Sequence, residues 1–430
     1  MRTSRVFSVT DPKKLKEQLL SWSRQFQEIA WLDSNEYDSK TGEYEAILAV
    51  EAFTAIKTDH GNAFDKLKEY QETTADWIFG YLSYDLKNDV ERLKSSNFDG
   101  LHFPDLYFFQ PQKIIFIREG QIEFHYLRMV DDEIEDDFEA IQIFCIEDNS
   151  KHKPVKVEAR ISKQEYVDKI GLMLNHIHRG DIYEANFCQE YYSENVEIDS
   201  FDIYRSLNEI STPPFAAYLK LENVNLISAS PERYLRKRGA QLLSQPIKGT
   251  ARRADEVQED LKIAAELAED PKEQSENVMI VDLVRNDLSR IAKKGSVKVD
   301  ELCKVYTFKQ VHQLISSVTA EIAEDIPPVE ALRTSFPMGS MTGAPKISAM
   351  KIIEELEESK RGLYSGAVGY FTPDGDFDFN VVIRSILYNS ENNYLSFSVG
   401  GAITAKSDPE KEYEECLLKA KAMREVLTNL

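Results

Sequence analysis

Cysteine is scarce in this chain. Four cysteines, Cys145, Cys188, Cys303 and Cys416, are spread over 430 residues with no CxxC pair. That spacing argues against a metal cluster and a disulfide framework, and points to a reducing compartment. The seven histidines fall into no metal-ligand spacing. No uninterrupted apolar run approaches the roughly 20 residues that a membrane-spanning helix needs. Charged and polar residues, rather than the apolar stretch of a signal peptide, follow Met1, so a soluble, cytoplasmic protein is expected. Positive charge is also short, with 52 Lys and Arg against 74 Asp and Glu and a formal net charge of -22. Such a field repels nucleic acid and anionic membranes. An anionic substrate would have to be met by local positive charge: a cation, lysines, arginines or helix N-termini.

What is present suits a large core, with 42% hydrophobic and 10% aromatic residues. The length allows two or three average domains or one large unit. Periodicity predicts helices over 11–26, 162–178, 204–210, 255–268, 271–291, 345–357 and 409–427. Strands are expected at 114–117, 122–127, 182–192, 215–220, 225–229, 313–320, 366–371, 377–388 and 394–399, with one near Val297 and a hairpin over 234–243. The acidic stretch 130–140 and the polar 147–154 read as a surface segment and connector. Strand clusters without regular βαβ alternation predict an α+β fold with large packed sheets.

The chemistry starts at Pro246-Ile247-Lys248-Gly249-Thr250, which reads as a Pro/Gly-bounded turn. A lysine becomes a nucleophile when burial or neighbouring charge removes its proton; otherwise it is a solvated turn residue. Two helices each present a glutamate pair three residues apart, Glu273 with Glu276 and Glu412 with Glu415, and Lys419 follows one turn beyond the second pair. Separately these are solvated faces; brought together, four carboxylates make a hard-oxygen site suited to Mg²⁺. Gly339 to Lys346 fails the P-loop pattern, because Ala344-Pro345 follows Gly343. It reads instead as a glycine turn opening a helix with Pro345 in its first turn. Gly400-Gly401 is expected just past a strand, as a close backbone approach or a tight turn. Glu232 is either a general acid beside an apolar wall or one side of a surface salt bridge to Arg233 or a neighbour. Arg384, within the apolar run 381–387, is expected on a strand, as a carboxylate clamp or a buried ion pair.

Together these motifs resemble the chorismate-utilising enzyme family, which includes anthranilate, aminodeoxychorismate, isochorismate and salicylate synthases. The resemblance covers about 160 to 425 and rests on Ser230-Pro231-Glu232-Arg233, the Lys248 motif, Met279 to Asp287, Gly343-Ala344-Pro345-Lys346, Arg361 to Tyr370 and Gly400-Gly401. Gly80 to Asp85 is similar to a looser N-terminal motif of the amino-transferring members. The family fold implies one unit of two large packed β-sheets flanked by helices. Residues 1–155 would contribute to the shared sheet core, and 156–430 would form the chorismate-binding catalytic region.

Lysine at position 248 resembles the branch that forms 4-amino-4-deoxychorismate. The resemblance implies Lys248 as nucleophile at C2 and Glu232 as the acid that assists loss of the C4 hydroxyl. Glu276 and Glu415 would hold Mg²⁺ most directly, with Glu273 and Glu412 holding its waters. Substrate carboxylates would meet Tyr364, Arg384, Lys419 and the Gly400-Gly401 backbone, while Thr342 and Gly343 would line the ring site. Glu184 stands where water-activating members carry lysine and amino-transferring members usually carry glutamine, and its role is open. Gln313 stands where anthranilate synthases carry the histidine that eliminates pyruvate, which implies a product that keeps its enolpyruvyl group. No glutaminase nucleophile elbow occurs, so a separate glutamine amidotransferase subunit is the implied ammonia source. Trp31-Leu32-Asp33-Ser34 matches the motif of tryptophan-sensing members only loosely, and no feedback control is predicted from it.

Overall fold

Two long strands, Ala46–Thr58 and Leu106–Arg118, run side by side along their whole length and tie the molecule together. The computed structural model describes residues 2–35, 37, 44–145, 153–309 and 311–428. One edge of Leu106–Arg118 carries Gln121–Leu127 at one end and Ile78–Leu82 at the other, so two layers diverge from it. The first continues through Ala46–Thr58, Ile29–Asp33, Phe215–Leu221, Val224–Ser230, Ser385–Asn389, Tyr394–Thr404 and Glu184–Ser193. The second continues through Ile78–Leu82, Ala367–Phe371, Phe377–Val381, Arg233–Arg238, Gln241–Gln245, Val311–Glu321 and Lys298–Thr307. All pairings between these strands are antiparallel, and eleven α-helices accompany them among the described residues. The expected α+β fold with large packed sheets is what forms.

Side-chain alternation divides the interior into two cores. Along Phe215–Leu221, Ala217 and Leu219 point between the layers, while Ala216 and Tyr218 point beneath the helices. Ala46–Thr58 alternates in the same way, with Ile47 and Ala49 on one side and Leu48 and Val50 on the other. Helix Lys163–Arg179 covers the second core with Tyr166, Ile170, Met173 and Ile177. Each such apolar side chain contributes about 1.5–3 kcal/mol when fully buried. The helix starts at a Ser162/Glu165 capping box and stops at Gly180, whose φ is 88°. No helix among the described residues is long and apolar enough to cross a membrane.

Several local expectations are corrected. The acidic stretch 130–140 does lie at the surface, but as ordered structure: Ile134–Ile143 is a helix anchored by the buried Ile134 and Ile141. Much of the polar 147–154 stretch lies outside the described residues. The single strand expected over 377–388 is two, Phe377–Val381 and Ser385–Asn389. Arg384 therefore sits in a break, at φ 53°, rather than on a strand. Gly400 and Gly401 lie inside strand Tyr394–Thr404, not after it. Pro345 caps helix Lys346–Leu356 instead of occupying its first turn. Lys248 belongs to strand Ile247–Arg252 rather than to a turn.

Candidate functional site

The strand carrying Lys248 is not regular. Ile247 pairs with Ile315 and Thr250 with Gln313, so one extra residue stands on the Lys248 side. Lys248 and Gly249 form this bulge, and Gly249 takes the positive φ of 94°. A bulge re-aims a side chain that regular pleating would direct elsewhere. The adjoining helix Pro271–Ser289 fixes it, since Asn277 Nδ2 donates to Lys248 O at 3.2 Å and to Leu314 O at 3.2 Å. Lys248 is felt electrostatically by Glu184, Glu232 and Glu415, which come from three other elements.

Glu232 is 5% exposed. Burial pushes its carboxyl up to about 7, against smaller opposing effects of the Ser340 hydroxyl, Lys248 and the Ile247 N–H. The alternative of an ion pair with Arg233 is excluded by where that arginine points: it grips Asp378 at 3.0 and 3.1 Å and Gln245 at 2.7 Å. Glu232 is thus a protonatable carboxyl near neutral pH without a guanidinium to hold it ionised.

The two glutamate helices converge. Asp270 caps the first at Lys272 N and Glu273 N; Asp408 caps the second at Glu410 N and Lys411 N. Lys272 interacts with all four carboxylates, Glu273, Glu276, Glu412 and Glu415. Burial raises Glu273 and Glu412, whereas Lys419 beside Glu415 lowers that carboxyl. The glycines make room for the acids: a Cβ on Gly401 would lie 3.1 Å from Glu412 Oε2, and one on Gly249 would lie 3.2 Å from Glu273 Oε2.

A hard cation fits this donor set in chemistry, because all four residues offer oxygen and the buried Glu276 Oε1 accepts no hydrogen bond. The set is not drawn tight. Among the described residues no three acids, histidines or cysteines are gathered as a ready-made ligand cluster. Lysines stand against the carboxylates instead, Lys272 at 3.8 Å from Glu276 and Lys419 at 2.6 Å from Glu415.

The other predicted residues divide into two groups. Arg384 faces Tyr364 and Glu415, and burial lowers its guanidinium from the usual value. Tyr364 is buried, with its hydroxyl 3.5 Å from Cys188 Sγ. Lys419 Nζ also donates to Gly400 O at 2.8 Å, so helix Pro409–Thr428 is fastened to the glycine strand. Thr342, by contrast, is fully buried, and its hydroxyl turns back to Met338 O and Gly339 O at 3.3 and 3.2 Å. Gly343 holds its turn against strand Glu184–Ser193, where a Cβ would come within 2.3 Å of Glu184 O. The Thr342 hydroxyl is thereby spent within its own turn.

Two features escaped the sequence. Lys346 pairs with Asp287 at 2.6 Å, which locks two of the motifs to each other. Arg361 donates to Glu357, to Met341 O at 2.7 Å and to Asn186 O at 3.0 Å, tying three site-bearing segments. A charged residue beside a glycine in a motif was the one signal available for Arg361. Glu184, left open above, lies inside the site: it is 2% exposed, its Oε2 has no hydrogen-bond partner, and its charged neighbours are Lys248 and Glu276.

A bulge-held lysine, a buried acid and converging carboxylates place the chain in a defined class. It belongs to the family described as chorismate binding enzyme, which matches residues 17–425. An aminodeoxychorismate synthase of Streptomyces griseus is 44% identical over 63% of this chain, although the chain spans only 37% of that protein. Anthranilate synthase component 1 of Thermus thermophilus is 35% identical over 80% of this chain and 76% of its own length. In structure, anthranilate synthase component I from Streptococcus pneumoniae TIGR4 superimposes with a TM-score of 0.80 at 25% identity, covering 90% of this chain and 93% of that one.

Proposed function

We propose that the chain is an aminodeoxychorismate synthase component I, which aminates chorismate at C4 with ammonia to give 4-amino-4-deoxychorismate on the route to p-aminobenzoate and folate. The carrying observation is Lys248 in its bulge beside buried Glu232, whose carboxyl titrates near pH 7. Lys248 attacks C2 as the neutral amine, and the ring double bonds shift toward C4. Glu232 gives its proton to the departing C4 hydroxyl, which leaves as water. Ammonia then forms a bond at C4, the double bonds shift back, and Lys248 departs from C2 with the bonding pair.

Glu276 and Glu415 would hold Mg²⁺, with Glu273 and Glu412 on its waters. When bound, the ion offsets the charge of a substrate carboxylate that this acidic wall would otherwise repel. Arg384, Tyr364, Lys419 and the Gly400-Gly401 backbone orient the remaining substrate oxygens, and Thr342 and Gly343 shape the ring pocket. Gln313 has no titratable group to remove the ring proton, so the enolpyruvyl group stays attached. Neighbouring His312 offers no substitute: its Nε2 meets Asp260 Oδ1 at 3.0 Å and its Nδ1 meets Thr307 Oγ1 at 2.9 Å. The partner is a cytoplasmic glutamine amidotransferase subunit supplying ammonia, a reading supported by the word component in a relative's name.

Incubating the chain with chorismate, Mg²⁺ and an ammonium salt tests this. The expected product is 4-amino-4-deoxychorismate, with no anthranilate fluorescence and no stoichiometric pyruvate in a lactate-dehydrogenase-coupled assay. Pyruvate released at the rate of chorismate consumption would overturn the reading in favour of anthranilate formation.

A further inference from the structure

The mechanism above gives Glu232 a proton to donate and leaves open what holds its carboxyl in place. The backbone of that residue is fixed: Glu232 N donates to Ser230 Oγ at 3.3 Å, and Glu232 O accepts Val381 N at 3.0 Å. Two donors reach its side chain, the Ile247 N–H of the lysine strand and the Ser340 hydroxyl. The second comes from a distant part of the chain, the turn Gly339–Met341.

That turn is braced on several sides. Met341 N and Thr342 N donate to Met338 O and Gly339 O at 3.1 Å each. Asn186 Nδ2 donates to Ser340 O, and Arg361 Nη1 donates to Met341 O at 2.7 Å. Gly339 sits against helix Pro271–Ser289, where a Cβ would come within 2.6 Å of Leu283 Cδ2. The two hydroxyls of the segment then diverge. Thr342 Oγ1 turns back onto the turn's own carbonyls at 3.3 and 3.2 Å, whereas Ser340 Oγ turns outward to Glu232.

Glu232 and Ser340 also line one cavity, with about 20 Å³ open to the centre of a water, room for roughly one molecule. Three charged groups stand around the acid: Lys248 on the lysine strand, Asp287 on helix Pro271–Ser289 and Arg233 on the adjoining strand. Asp287 is paired with Lys346 at 2.6 Å, and Arg233 is turned to Asp378 and Gln245. On the cavity side, orientation of the carboxyl therefore falls to the Ser340 hydroxyl.

We propose that Ser340 is a positioning residue: its hydroxyl donates to one oxygen of Glu232, so that the acid's own O–H stays on the other oxygen and is directed at the departing C4 hydroxyl. This rests on the amination reading above. A serine hydroxyl has one proton to give, and a neutral carboxyl has one O–H beside an acceptor oxygen. The O–H bond that breaks is on Glu232, and the one that forms is on the leaving water; Ser340 keeps its own proton throughout. The carboxylate left behind retains the Ser340 hydrogen bond, which strengthens on a charged acceptor. That donor opposes the upward push of burial on Glu232 and so eases release of the proton.

The test follows formation of the Lys248 adduct by rapid-quench intact-mass measurement across the pH range, using the full chain with chorismate and Mg²⁺ and without ammonium, so that the adduct accumulates. Wild type is compared with Ser340→Ala and Ser340→Thr. In Ser340→Ala the adduct rate should fall at least about tenfold and its falling limb should move up by about one pH unit, because a carboxyl without that donor ionises later. Ser340→Thr keeps a hydroxyl and should lie closer to wild type in both respects. The half-saturating chorismate concentration should change by less than about twofold in either variant. A limb that stays in place in Ser340→Ala, or a rise in half-saturating chorismate that accounts for the whole loss, would overturn the role of Ser340. Absence of the adduct from the wild type at every pH would instead overturn the reading of Lys248 and Glu232 on which the proposal stands.

Discussion

Two clusters of buried charge in this protein, one at Arg361 and one around Lys248, are built to opposite standards. At Arg361 the guanidinium and its carboxylate are both hydrogen-bonded. Its guanidinium forks onto Glu357 at 2.9 and 2.6 Å and caps two backbone carbonyls, while Glu357 Oε1 also accepts Cys188 N at 2.9 Å. Around Lys248 the hydrogen bonds are left open: Glu184 Oε2, Glu276 Oε1 and Gln313 Oε1 are buried without a hydrogen-bond partner. The first pattern fixes segments in place; the second leaves polar atoms waiting for something that is not protein. Charge and burial alone do not distinguish a brace from a site, and the state of the hydrogen bonds adds a second criterion.

The largest effect expected from breaking this contrast is at Lys248. Lys248→Ala should lower amination by more than about 10³-fold, because no neighbour in the bulge can replace the attacking amine. Peptide mapping of the wild type during turnover should find the adduct on the Lys248 peptide. An adduct on another lysine would remove Lys248 from its role.

Next come the carboxylates. Glu276→Gln and Glu415→Gln should each cut turnover by roughly 10²-fold or more, since each takes a charged oxygen from a hard-cation set. Both variants should stay folded by circular dichroism, because Glu276 already lacks one partner and Glu415 is half exposed. Full activity of either at limiting Mg²⁺ would separate these residues from the metal.

The closed cluster should respond in the opposite sense. Arg361→Met strands Glu357 in the interior, and breaking a buried pair on one side costs about 3–5 kcal/mol. Its thermal midpoint should fall well below that of Glu184→Gln, which removes a charge whose Oε2 accepts no hydrogen bond from the protein. Equal midpoints would erase the distinction between the two clusters.

Some of this was legible in the sequence and some was not, for reasons that particular residues show. Helix Lys163–Arg179 was readable because its apolar residues recur at helical spacing and Ser162 and Glu165 form a local cap. The break at Arg384 was not. Val381, Val382, Ile383, Ile386 and Leu387 read as one strand, yet tertiary bonds interrupt it: Val381 N donates to Glu232 O, Ser365 N to Val382 O and Ala229 N to Arg384 O. Pro246 and Gly249 suggested a turn at Lys248, but pairing with the strand Val311–Glu321 draws the segment out and leaves only the bulge. Strand Tyr394–Thr404 runs past its glycines because Gly400 to Thr404 find partners in Cys188 to Glu184, far away in the chain. The residues assigned to the proposed site were marked by their motifs. The bare oxygens of Glu184 and Glu276 had no signal at all, since satisfaction depends on neighbours brought from four elements.

The subtlest effect belongs to Glu232, which lies between the two standards: it is buried and hydrogen-bonded but unpaired. Its folded-state value of about 7 lies above its ordinary 4.5, so the folded protein binds a proton that the unfolded chain has released across that window. The stabilisation is fully present below about pH 4.5 and is lost as pH rises through about 7. The shift corresponds to an effect of the order of 3 kcal/mol. Glu232→Gln cannot ionise and should escape this loss, while every other titrating group is common to both proteins. The thermal midpoint of the variant, measured relative to wild type, should therefore climb between pH 5 and pH 8. The same ionisation should produce a falling limb near pH 7 in the rate of adduct formation on Lys248, because the acid that protonates the leaving hydroxyl is then spent. A midpoint difference that stays flat across this range would mean that Glu232 ionises as an ordinary carboxylate, and the leaving hydroxyl would need another proton donor.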